Sequence, residues 1–280
     1  MTQTDNPLRK YFRQAVIHLR LPSGGRFYPP GGVDLPPNGE LPILPMTAVD
    51  EVTSRTPDAL FNGSAVVNVL SSCVPNIHDA WAIPAVDFNA LLAAVRIASY
   101  GHEMEISSTC PKCNSTHPYT IDLRWVLDQL RMPDYDTPAV VGDLNCFFVP
   151  MTYHQLNEVS RVQYEDQKLM QIINSAETTE EEKMTKLGEA FKRITYLTIH
   201  SIAQSIGAIK TSSAMVTDTE QIEEFLVNAP KDVFNKIKEH AIRLREATEL
   251  PPIEITCDSC QNQYKQDFTL DMSNFFAIAS

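Results

Sequence analysis

A chain of 280 residues, 43% of them hydrophobic, is long enough to bury a sizeable core in one elaborate domain or two smaller ones. A net charge of −12 argues against a broad nucleic-acid or anionic-membrane footprint and leaves room only for a small basic face. The polar first ten residues lack a signal-peptide core and no apolar run approaches a membrane span, so the chain is expected to be made and used without crossing a membrane.

Residues 1–14 read as an N-terminal arm in which Arg9, Lys10 and Arg13 interleave with Tyr11 and Phe12; three cations suit docking on protein better than on nucleic acid. Residues 15–132 read as an α+β region. It opens with a β-branched strand over 15–21 containing His18. A Pro/Gly-dense turn follows; Gly24-Gly25 has neither a Lys-Ser/Thr nor a helix onset after it, so it is no phosphate cradle. This turn presents Arg26, Phe27 and Tyr28, a candidate partner-contact patch, with buried packing as the alternative. Extended backbone over 33–46 leads to a helix opened by Thr47. Thr56-Pro57-Asp58 starts another, interrupted at Gly63 and ended by Val74-Pro75. Asp87 is expected to cap a helix with apolar Phe88, Leu91, Leu92, Val95 and Ile97, stopped at Gly101. Arg96 within it reads as an ion-pair partner.

Cys110-Pro111-Lys112-Cys113 follows at once, and Cys257-Asp258-Ser259-Cys260 repeats it far downstream. Each pair sits between two short strand-like runs, so one unit of strand, Cys-x-x-Cys turn and strand is written twice. A two-residue spacer lets both thiolates face one tetrahedral ion, and two such turns complete a four-cysteine zinc site. Strands on both sides disfavour a thioredoxin-like redox motif, which sits in a βαβ setting. Unliganded turns or two redox pairs remain as alternatives, and His117 could substitute as a ligand. Ribbon pairs usually lie about 15–20 residues apart, whereas residues 114–256 separate these; one Zn2+ per chain joining them would close an insertion at its base. Cys73 and Cys146 sit in apolar runs and read as buried small hydrophobes, a usage that suits a reducing compartment.

Residues 133–250 read as a mainly helical insertion. A linker over 133–138 leads to a strand over 144–149. Thr152 caps a helix to about Asn174, and Thr179 with the following glutamates starts another to about Ile206. A short connection makes these an antiparallel hairpin. A strand or small hairpin over 209–216, a helix capped by Asp218 and a helix opened by Pro230 complete the insertion. Residues 251–280 hold the second hairpin and a tail in which Phe275 and Phe276 are either core or a second partner contact.

No nucleophile elbow, Walker motif, dinucleotide fingerprint or His-Glu-x-x-His motif is present, and four thiolates leave a metal no open position, so no enzyme is expected. The runs Leu19-Arg20-Leu21-Pro22-Ser23-Gly24-Gly25-Arg26-Phe27-Tyr28 and Pro45-Met46-Thr47-Ala48-Val49-Asp50-Glu51 carry a resemblance, together with Leu92-Ala93-Ala94-Val95-Arg96-Ile97-Ala98-Ser99-Tyr100-Gly101, the two cysteine pairs and Phe275-Phe276. They resemble the T4-like bacteriophage baseplate family, over most of the chain from Ile17 on. The resemblance implies a structural or assembly component of a contractile phage tail, acting in baseplate hub morphogenesis by contacts with other baseplate or hub proteins. It implies no small-molecule substrate, synthesis in the bacterial host cytoplasm, and a place there during assembly or in the virion tail. It also implies Cys110, Cys113, Cys257 and Cys260 as zinc ligands. The competing reading is a zinc-ribbon nucleic-acid-binding protein, against which the acidic balance weighs.

Overall fold

The computed structural model describes residues 6–54, 63–175 and 180–268. Backbone contacts divide the chain into two units, one of residues 1–80, 87–130 and 250–280, the other of residues 81–86 and 131–249.

In the first unit, β1 (Ile17–Arg20) pairs antiparallel with β2 (Glu40–Ile43), Leu19 opposite Leu41. Leu19, Leu41 and Ile43 point inward and are buried, as the period of two requires. Between the strands, Gly24 and Gly25 have φ of 64° and 84°, so they are turn residues. A Cβ on Gly25 would lie 2.3 Å from Leu35 Cδ1. The turn is fixed by Asp87, which accepts the Ser23 backbone N–H at 2.8 Å and the Ser23 hydroxyl.

Asp87 does not cap its helix. That helix, α3 (Ala85–Tyr100), begins two residues earlier, just after Pro84, and frees the carboxylate for Ser23. Burial raises the Asp87 pKa, and the Ser23 bonds only partly offset this. Residues 90–95 of α3 are buried on all sides, so this is a core helix and not a one-faced one. Each buried leucine in it contributes about 1.5–3 kcal/mol. Arg96 is buried and stacks over the Tyr100 ring at 4.6 Å, and among the described residues it forms no ion pair of the kind expected.

α1 (Ala48–Ser54) and α2 (Ser64–Cys73) pack together. Thr47 and Asp50 cap α1 reciprocally: Thr47 N–H donates to Asp50 at 2.7 Å, and Asp50 N–H to the Thr47 hydroxyl at 3.2 Å. The start signal at residues 56–58 lies outside the described residues; α2 is entered through Gly63 at φ 77°. Arg13 ties the N-terminal segment down. Its guanidinium donates to Pro45 O, Asp50 Oδ2, Ser72 O and Ser72 Oγ at 2.7–3.0 Å. Burial and the Asp50 charge push the neighbouring Cys73 thiol up to about 11. β3 (Glu103–Thr109) and β4 (Thr116–Asp122) form the first cysteine hairpin. α4 (Leu123–Gln129) follows, with Asp122 capping the Arg124 N–H at 2.9 Å.

The second unit is built on a four-stranded antiparallel sheet in chain order: β5 (Ala139–Val141), β6 (Leu144–Phe148), β7 (Ile206–Lys210) and β8 (Met215–Val216). α5 (Tyr153–Ser175) and α6 (Glu180–Gln204) pack on each other between β6 and β7. Thr152 and Gln155 form the expected cap on α5, with bonds of 2.8 and 3.3 Å. α6 stops sooner than its apolar spacing predicts, because Ile206 falls four residues after Ile202 yet belongs to β7. Gly207 marks the switch; a Cβ there would lie 2.8 Å from Val149 Cγ1. α7 (Thr219–Asn228), capped by Asp218, and α8 (Lys231–Glu246), entered from Pro230, complete the unit. Cys146 is buried in β6, and burial pushes its thiol up to about 11. Two last strands, β9 (Ile253–Thr256) and β10 (Gln263–Gln266), belong to the first unit and form the second cysteine hairpin.

Candidate metal centre

Each cysteine pair turns the chain in the same way. Cys110 N–H donates to Ser115 O at 3.0 Å and Asn114 N–H to Cys110 O at 2.9 Å. In the second hairpin, Cys257 N–H donates to Asn262 O and Gln261 N–H to Cys257 O, both at 2.9 Å. The fifth residue of each turn is left-handed, Asn114 at φ 54° and Gln261 at φ 57°. The first cysteine of each pair is buried and the second lies nearer the surface.

The two turns face each other. Cys110 Sγ lies 3.7 Å from Cys260 Sγ, and Cys113 Sγ 3.6 Å from Cys257 Sγ. All four sulfurs are within 4.8 Å of one another. These separations far exceed a disulfide bond of about 2.05 Å. They match the edge of a tetrahedron with Zn–S bonds of about 2.3 Å, roughly 3.8 Å. The donor set is therefore one that a single zinc ion fits.

Acidity points the same way. Hydrogen bonds from the Ser115 side chain and backbone pull the Cys113 thiol down to about 6. Burial opposes ionisation of Cys110, but the N–H groups of Cys113 and Lys112 outweigh it and hold that thiol below its ordinary range. At Cys260 the Asn262 backbone bond favours the thiolate; burial and the three neighbouring sulfurs outweigh it and push the thiol up to about 12. Four thiols this close share charge poorly without a cation among them.

Contacts outside the sulfurs hold the hairpins together. Buried Ser108 donates to Gln266 Oε1 and bonds the Tyr264 hydroxyl, both at 2.8 Å. His117 Nε2 bonds the Ser259 hydroxyl at 2.8 Å, so this imidazole is engaged beside the thiols and is not part of the sulfur set.

Residues 35–277 match the family model described as T4 bacteriophage base plate protein. The chain belongs to this family. No curated protein and no solved structure matches it. Membership makes it a structural protein of the phage base plate, carrying a four-cysteine zinc-type site in an α+β fold with a helical insertion. Among the described residues no helix is long and apolar enough to cross a membrane.

Arg26, Phe27 and Tyr28 are not among the residues of the sulfur cluster. Arg26 is exposed, its guanidinium 5.0 Å from the Phe27 ring, and Phe27 itself has φ 71°. Tyr28 turns its hydroxyl inward towards Asp87, and burial raises its pKa first, that carboxylate second. The hydroxyl approaches Asp87 without a well-formed hydrogen bond. Phe275 and Phe276 lie outside the described residues. Ser108, Tyr264 and Gln266 were missed by sequence reasoning. Their only signal was position: each sits in a strand flanking a cysteine turn, where every second side chain faces one side.

Proposed function

We propose that this base plate protein acts in assembly of the tail hub through protein–protein contacts, in the host cytoplasm. In this reading Cys110, Cys113, Cys257 and Cys260 hold one zinc ion as a structural clasp. The observation that carries it is the meeting of two identically built turns, 3.6–3.7 Å apart at their sulfurs, in a chain matched to the base plate family over residues 35–277. The bound zinc supplies a cross-link, and four thiolates fill its tetrahedral shell. Arg26, Phe27 and Tyr28, and separately Phe275 and Phe276, are the contact residues proposed for other base plate or hub proteins.

Native mass spectrometry tests the clasp: one zinc per chain is expected, lost in Cys110→Ser or Cys257→Ser. Two zincs or none would defeat a joined site. Affinity purification from infected cells should bring down other tail components. Tight nucleic-acid binding with a steep salt dependence would instead replace the assembly reading.

A further inference from the structure

The second unit carries an apolar double hollow that the metal centre does not use. Val149, Leu156, Leu197 and Ile242 are among the residues around a cavity of about 300 Å3. Leu226, Val227 and Phe234 help line a second, of about 390 Å3. Ile194, Thr198 and Lys238 line both, so the two hollows adjoin along α6 and α8. Ile194 and Val227 remain 40% and 58% exposed there, which is costly for side chains that nothing covers.

The charge around these hollows runs against that of the whole chain. The protein's net charge is −12, yet among the described residues no Asp or Glu lines either hollow. Lys238 borders both, Arg245 the first and Lys231 the second. Among the described residues none of these three cations forms an ion pair or donates a side-chain hydrogen bond. Lys238 is also half-buried, and among the described residues no carboxylate pairs with it.

We propose that this double hollow docks an apolar, acid-flanked segment of a partner protein. Two adjoining cavities with a shared ridge suit two apolar side chains presented in succession on one segment, as in helix-in-groove recognition. The unanswered cations select carboxylates beside those anchors and disfavour a basic segment. The inference rests on the reading of this chain as an assembly protein working by protein contacts, and it assigns that work a surface.

The test uses the full zinc-loaded chain and two fluorescein-labelled synthetic helices of about 15 residues. Both carry a Leu and a Phe anchor at i and i+4, flanked in one by Glu and in the other by Lys. The acid-flanked peptide should bind at least about tenfold more tightly. Lys238→Glu with Arg245→Glu should reverse that preference, and Ala241→Trp, which fills the first hollow, should weaken the acid-flanked peptide by a similar factor. The charge-reversed variant carries the test alone if the tryptophan variant loses its circular-dichroism signature. Equal binding of both peptides, a preference unmoved by charge reversal, or uptake of dodecanoate without either peptide would overturn the proposal. So would a dimer of this chain that Ala241→Trp dissolves. No phage component enters the assay, so its failure leaves the hub-assembly reading intact, and failure to co-purify tail proteins leaves the charge preference measurable.

Discussion

Gln261 occupies a left-handed backbone position at φ 57° that its counterpart in the first turn gives to Asn114. Asparagine tolerates this region better than glutamine, because its short side chain bonds locally. Gln261→Asn should therefore stabilise the chain by about 0.5 kcal/mol in urea unfolding, with zinc binding unchanged. Arg13 is the opposite case: Arg13→Ala removes donors to two carbonyls and leaves Asp50, only 11% exposed at its side chain, without its cation. A loss of about 2 kcal/mol is expected, read as a lower urea midpoint at constant slope. Burial by itself would raise the Asp50 pKa. The Thr47 bonds and the Arg13 charge overcome this and depress it. A depressed folded-state pKa adds stability above the ordinary aspartate value and loses it as pH falls through the folded one. The acid limb of the stability curve, below about pH 4, should be shallower in Asp50→Asn than in the parent. At this scale the cysteines were legible, because their spacing is itself the chemistry. Arg13 was not: its partners at 45, 50 and 72 are brought to it only by folding.

Helix starts were the most legible elements. Thr47, Thr152 and Asp218 each cap where sequence places them, because capping is a matter of three or four neighbouring residues. Thr152→Ala should cost about 1 kcal/mol, seen as fraying of the first turn of α5 in amide exchange. Asp87 looked like a cap and is not one. A carboxylate near a helix start is ambiguous until one knows whether a distant donor, here Ser23, claims it. The end of α6 was hidden because Ile206 satisfies helical spacing from Ile202 while pairing opposite Phe148. Strand β5, only Ala139–Val141, is too short for a period to declare itself, yet it edges the four-stranded sheet.

For the whole molecule, metal and topology work together. The first unit contains both cysteine hairpins, and the second contains neither. Stripping zinc with a strong chelator should expose the amides of β3, β4, β9 and β10 to hydrogen exchange and leave those of β6 and β7 protected. Equal loss of protection in all of them would mean that the chain unfolds as one body. The double hollow could not be read in advance, since it exists only where α6, α8 and the sheet converge.

The separation of the two hairpins also has a consequence in time. Ribosomes add about 5–20 residues per second, so Cys260 follows Cys113 by on the order of 10 s. Throughout that interval the nascent chain carries the first pair as an open dithiol. The cross-link forms only after the whole intervening unit has been translated. A chain that terminates early, within the insertion, never acquires its metal, so zinc content distinguishes finished protein from prematurely released fragments.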